Sequence, residues 1–350
     1  MLRKNKYFFP VLIALLVIML VNAIAFGAVQ ILPAQMFAAI QHFSQGKDPA
    51  NIYEGVFLQI RLPRVLLCAI TGAILSASGV LMQGLFRNPI VEPGLVGTSA
   101  GAAFGASLVF VLSASMNPAV KSITGPLLVP LFAFGGGLLA TYIVYSLAKN
   151  AKRVSIMSLL LIGIAVNAVG LSATGFMSYI ARDPQARSIT FWNLGTFSGA
   201  NWMQVFITGT VAAIIFFIAL RYSKQLNALL LGEEEAAYLG VDTNRLKQRI
   251  MLLNTAMVSV ATAFVGVISF MGLIVPHVLR LLIGSDNKKL LPASMITGAV
   301  LLTLADMGAR LLLAPAEIPI GIITSLVGAP VFILLLKKFN LVQQKRGYNA

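Results

Sequence analysis

Residues 61–105 restrict the chain more than any other stretch, because they hold two membrane-length apolar segments joined by a turn that no helix can cross. The first apolar run, residues 65–84, is near the roughly 20 residues a helix needs to span a hydrocarbon core. Pro63 stands where such a helix would begin, since proline's fixed φ and missing N–H suit a first turn. Residues 87–94, with Pro89, Pro93, Gly94 and two charges, break the helix and belong in water. Beyond them Gly97, Gly101 and Gly105 recur every four residues. That spacing predicts a helix face another backbone can approach, within the chain or across a dimer seam.

The same kind of apolar run recurs along the chain. Of 350 residues, 58% are hydrophobic and 11% charged, too little polar surface to cover a soluble globule. The chain therefore reads as an all-α integral membrane protein, one transmembrane domain over residues 1–350. Ten spans are expected, at 8–28, 65–84, 95–112, 126–147, 154–179, 203–220, 250–267, 270–283, 290–313 and 318–336. The eighth is short and reads as broken by Pro276, as a partial helix would be where protein or a cavity surrounds it. Residues 30–59 read as polar and irregular. Spans two to five and seven to ten begin an odd number of spans apart, which allows an inverted repeat. A cleaved signal is a competing reading of the N-terminus, from Arg3, Lys4, Lys6 and Ala23-Ile24-Ala25. Against it, the apolar stretch continues to Val29.

A net charge of +15 would suggest nucleic acid for a soluble protein, but here it fits basic loops beside anionic membrane lipid. With the N-terminus inside, nineteen of the 26 Lys and Arg residues fall on cytoplasmic segments. Lys47, Arg61, Arg64, Lys121, Arg182, Arg187 and Arg310 remain outside. The bias predicts that both termini are cytoplasmic. The lone Cys68 leaves no intrachain disulfide, and His42 and His277 lack the neighbours of a metal site.

Arg61 and Arg64 oppose the charge bias and sit at the expected positive end of a helix dipole. Two broken rules point to a docking patch for an acidic external partner, with lipid-phosphate anchoring as the alternative. On that reading, reversing both to Glu should leave stability intact. Arg310 is less unusual, because it ends its helix favourably and can pair with Asp306 one turn earlier.

Residues 221–249 form the longest cytoplasmic segment. Leu226, Leu229 and Leu230 share a helical spacing, Gly232 breaks that helix, and Glu233, Glu234 and Glu235 open a second one, where anions are favoured. Either the segment merely connects spans, or its apolar faces dock into a partner's groove. On the docking reading, charging Leu229 and Leu230 should remove the partner and leave the fold. No G-x-x-x-x-G-K-[ST] is present, so any ATP-driven step belongs to another subunit.

Six stretches carry a resemblance over essentially the whole chain: RLPR at Arg61, GVLMQGLFRNPIVEPGLVGTSAGA from Gly79, LNALLLGEEEAAYLGV from Leu226, GVISFMGLIVPHVLRLL from Gly266, LADMGARLL from Leu304 and EIPIGIITSLVGAPVFILLLKK from Glu317. They resemble the FecCD-type permease subunits of type II ATP-binding-cassette importers for iron-siderophore complexes, heme and cobalamin. The resemblance implies a multi-pass homodimer in the bacterial plasma (inner) membrane, with two cytoplasmic ATPase subunits that use ATP and Mg and an external substrate-binding protein. No cofactor in this chain and no nucleic acid are implied. It also implies that Arg61, Arg64 and Arg310 face acidic residues of the binding protein. Leu229, Leu230, Gly232, Glu233, Glu234, Glu235, Ala236 and Gly240 would belong to the segment coupled to the ATPase. Glu235-Ala236-Ala237 with Gly240 is similar to the short EAA signature of other importers, although the glycine is one residue early.

Two other classes compete. An ion-coupled transporter needs ionisable groups at mid-membrane, yet Glu92, Asp306 and Glu317 fall near span ends. A membrane enzyme needs clustered His, Asp, Glu or Cys within the spans, and the sequence offers none.

Overall fold

Apolar runs in lipid become helices because only bonds within the segment can satisfy the backbone there. A computed structural model describes residues 6–27, 30–46, 48–113, 118–150 and 153–347. Arg3, Lys4, Ala28, Val29, Lys47 and Lys152 lie outside the described residues. The helices are α1 Phe8–Ala25, α2 Pro33–Ser44, α3 Ile52–Gly55, α4 Leu62–Phe86, α5 Thr98–Leu112, α6 Pro118–Ala148, α7 Ile156–Ile180, α8 Gln185–Asn193, α9 Trp202–Leu229, α10 Glu233–Tyr238, α11 Thr243–Val265, α12 Met271–Ile283, α13 Asn287–Leu311 and α14 Ile320–Gly347. Seven are long and apolar enough to cross a membrane, counting α3 and α4 as one, and α5, α12 and α14 supply three shorter apolar helices. The ten follow the order of the ten expected spans. A two-residue antiparallel ladder, Lys149–Asn150 with Arg153–Val154, closes the α6–α7 turn.

Helix α4 is the hub. The span containing it is 83% buried against 11% for α7, and it packs on α13, α9, α11, α12 and α1. Glycines set these crossings: a Cβ on Gly79 would overlap the Gly272 carbonyl of α12, and one on Gly72 the Gly298 carbonyl of α13. Gly101 and Gly105 likewise pack on Gly136 and Phe132 of α6, so this part of the glycine ladder packs inside the chain. Gly97 instead starts α5 at φ +88°. Helix pairs recur as an inverted repeat requires, since α4 lies on α13 as α11 lies on α6, and α12 on α4 as α5 on α11. Gly79→Ala is expected to destabilise by about 1–3 kcal/mol through overpacking. A lower apparent Tm in detergent would register it, and an unchanged Tm would mean the crossing relaxes freely.

Three expectations need correction. Residues 30–59 are not irregular, because Pro33 opens α2, the Gln35 side chain accepts from the Leu32 amide at 2.8 Å, and Asn51 caps α3. Pro63 does not begin the second span: helix runs from Ile52 and reaches the proline through a π-helical turn, Val56–Arg61. Pro276 does not break α12, which continues through it. A proline at that position removes the donor for the Gly272 carbonyl, and Gln83 Nε2 of α4 takes its place, donating to Gly272 O at 3.2 Å and Leu273 O at 3.0 Å.

Candidate functional site

The two ends of the bundle carry the two groups of residues singled out in the sequence. At one end meet the C-terminus of α1, the π turn before α4, the N-termini of α9 and α14, and the C-terminus of α13. Trp202 Nε1 donates to Leu58 O at 3.0 Å, and the amides of Ile320 and Gly321 donate to Gly195 O and Leu194 O, joining these elements.

Arg61, Arg64 and Arg310 are brought together here, and their surroundings are internal. Arg64 is buried, with Nη2 2.9 Å from Asp306 Oδ1 and Nη1 at 2.8 and 2.9 Å from the two Glu317 oxygens. Arg310 Nε lies 3.1 Å from Asp306 Oδ2, a Coulombic contact without hydrogen-bond geometry, so the expected Asp306 pair forms. Arg61, also buried, donates through Nη1 to Ile24 O and Ala25 O at 2.6 and 2.9 Å, and Arg310 Nη2 donates to Ala23 O at 2.9 Å. Two cations thus satisfy the last carbonyls of α1, where a helix carries partial negative charge. The supposed clash of Arg61 and Arg64 with a helix N-terminus does not exist, because the helix begins about ten residues earlier, at Ile52. Arg64 and Arg310 share Asp306, Arg64 also pairs with Glu317, and Glu317, its side chain 40% exposed, is the acid that faces outward. Among the described residues, Arg182 and Arg187, just before and on α8, are exposed cations.

At the other end α9 stops at Leu229, and Gly232 turns the chain at φ +149°, a conformation open to glycine. A Cβ there would also strike the Glu235 carboxylate. Helix α10 then carries Glu233, Glu234 and Glu235 in its first turn. It ends in a Schellman motif: Gly240, at φ +81°, donates to Ala237 O, and Val241 donates to Ala236 O. Glu233 accepts from Lys247 Nζ at 2.7 Å, and the same ammonium donates to Val154 O at 2.9 Å, fixing α10 to α11 and the α6–α7 turn.

Leu226, Leu229 and Ala236 are buried inside the chain, so Leu229 is core and not a docking side chain. Leu230 is half-buried. The exposed apolar groups are ones the sequence reading missed: Leu231 at 69%, Tyr238 at 90% and Leu239 at 64%. Their signal was present in the two glycines that bracket α10 and force its outer side into solvent.

Between the ends two segments meet, which corrects the expectation that residues 87–94 lie in water and that Glu92 falls near a span end, since Val91 and Pro93 are buried. Glu92, before the short 3-10 turn Pro93–Val96, accepts from the Phe270 amide at 2.9 Å, at the start of α12. Asn167 of α7 donates to Gly94 O and Leu95 O at 3.2 and 3.1 Å. A cavity of about 550 Å³ lies beside them, with Glu92, Ser99, Asn167 and Thr174 among its walls.

Comparison with known proteins agrees with this architecture. The FecCD transport family model matches residues 14–338. The chain is 41% identical over 281 residues to the hemin transport system permease protein HmuU of Yersinia pestis, covering 80% of this chain and 83% of that one. It is 35% identical over 323 residues to the vitamin B12 import system permease protein BtuC of Vibrio parahaemolyticus, covering 92% and 93%. A solved metal-chelate type ABC transporter in an inward-facing conformation superposes with a TM-score of 0.79 at 33% identity, covering 95% of this chain and 99% of that one.

Proposed function

The chain belongs to the FecCD transport family, and from that membership we propose that it is the membrane permease of an ATP-binding-cassette importer for an iron complex. The α10 end is the cytoplasmic one, where the ATPase docks. The first turn of α1 and the last turn of α14 point to that side too, because α1 ends and α14 begins at the Arg64 end. The opposite end receives an external binding protein, near Arg61, Arg64 and Arg310. Two copies of the chain enclose the path. The observation that carries the reading is the exposed, glycine-bracketed α10 on a chain of ten apolar helices with no phosphate-binding loop of its own.

The 41% identity to a hemin permease puts heme ahead of cobalamin as the first substrate to test. Proteoliposomes holding the chain and its ATPase subunit, supplied with the binding protein, should take up radiolabelled heme only with ATP and Mg. The chain alone should hydrolyse no ATP. Uptake driven by an ion gradient without the ATPase would sink the assignment, and uptake of cobalamin but not heme would move the substrate.

A further inference from the structure

A second polar site lies at the α10 end. A cavity of about 260 Å³ opens between the C-terminal turns of α4 and α12, and Arg87, His277 and Arg280 all line it, together with Gln83, Asn88 and Ser285. No carboxylate lines it, and among the described residues none lies within ion-pair distance of these three side chains. The acids nearest in sequence are engaged elsewhere, Glu92 accepting from the Phe270 amide at 2.9 Å and Asp286 from Asn227 Nδ2 at 2.8 Å and the Lys288 amide at 3.1 Å.

Arg280 is poorly served inside the chain. Its contacts are neutral and long, Gln83 Oε1 at 3.4 Å and Val80 O at 3.5 Å. A guanidinium has five donors and makes bonds to anions near 2.7–2.9 Å. Complementing helix dipoles accounts for Arg87 at the C-cap of α4 and Arg280 in the last turn of α12, but not for three basic side chains converging on one cavity. Arg87 adds an independent observation. It occupies the left-handed C-cap of α4 at φ 50°, a place where glycine is the cheaper residue. A side chain kept there against the backbone preference marks a role for the side chain.

We infer that the pocket of Arg87, His277 and Arg280 binds a phosphate-bearing anion, either the headgroup of an anionic phospholipid or free phosphate. Several converging donors suit a tetrahedral oxyanion better than a single carboxylate. Basic pockets between spans on the cytoplasmic side are where anionic headgroups bind. The lipid arm therefore rests on the α10 end being cytoplasmic, as proposed above.

The test uses the full chain in nanodiscs of phosphatidylcholine with or without phosphatidylglycerol, with native mass spectrometry counting retained phosphatidylglycerol. Inorganic phosphate is titrated separately into the detergent-solubilised chain. Arg280→Gln and Arg87→Gln should each weaken binding of the anion about five-fold or more, while Arg280→Lys keeps most of it. Arg87 is exposed, so its variant keeps the test valid if Arg280→Gln folds poorly. Phosphatidylglycerol retained and insensitive to added phosphate supports the headgroup, and phosphate binding alone supports the free anion. The inference fails if neither probe separates wild type from the Gln variants. It fails equally if both variants keep the anions yet lose the co-purifying ATPase subunit, which would make the pocket a seat for that partner's carboxylate. Loss of ATP-driven uptake by the wild-type chain would count against the proposed function and leave these binding results standing.

Discussion

Arg64→Glu is expected to leave little folded protein. The substitution would set three carboxylates around one buried point, since Asp306 lies 2.9 Å and Glu317 2.8 Å from the present guanidinium. Removing one partner of a buried pair costs about 3–5 kcal/mol even before like-charge repulsion is added. That is a large part of the roughly 5–15 kcal/mol that holds a typical domain together. Arg61→Glu is expected to be milder but of the same sign, because it turns a carboxylate toward the α1 carbonyls that the arginine now satisfies. This reverses the expectation drawn from the sequence, in which charge reversal at both positions preserved stability. The measurement is the monodisperse fraction and apparent Tm of Arg64→Glu beside Arg64→Met. The methionine variant leaves Asp306 with Arg310 and Glu317 with water, so it should lose less. Wild-type yield and Tm for Arg64→Glu would show that the network does not hold α4 to α13, and the arginines would be free for a partner alone.

What the sequence reveals here depends on range. Ten apolar runs were readable because a span's length and composition are local properties set by the bilayer. The Gly232 break and the acidic start of α10 were readable for the same reason, since turn chemistry acts over a few residues. The partners of Arg64 stand 242 and 253 positions away, so the sequence showed a charge that broke local rules but not the carboxylates that explain it. Pro276 likewise read as a break because its compensation comes from another helix, Gln83 standing 189 residues upstream of the Gly272 carbonyl it serves. Helix α2 escaped notice for a different reason: it is twelve residues long and carries little charge. For the leucines, helical spacing identified an apolar face but not whether the chain's own core or a partner covers it. Leu229 went to the core and Leu231 to the surface.

That last division makes the coupling surface testable. Tyr238 and Leu239 end α10, exposed and apolar, on a helix anchored by the Glu233–Lys247 pair and buried Ala236. Neither contributes to the core, so Tyr238→Asp with Leu239→Asp should leave the apparent Tm close to that of the wild type. Binding should respond very differently. Fully burying side chains of this size contributes about 1.5–3 kcal/mol each, and exposed aromatics at the centre of an interface often carry most of its energy. Losing both, with two charges desolvated in their place, should weaken the ATPase complex at least 100-fold, by about 3 kcal/mol or more. Co-purification of that subunit should disappear and ATP-driven uptake with it. Leu229→Asp supplies the contrast, since a charge at a fully buried position should remove the folded chain itself. If the Tyr238/Leu239 variant retains its ATPase subunit, α10 is a connector between α9 and α11, and the partner docks on some other part of this end.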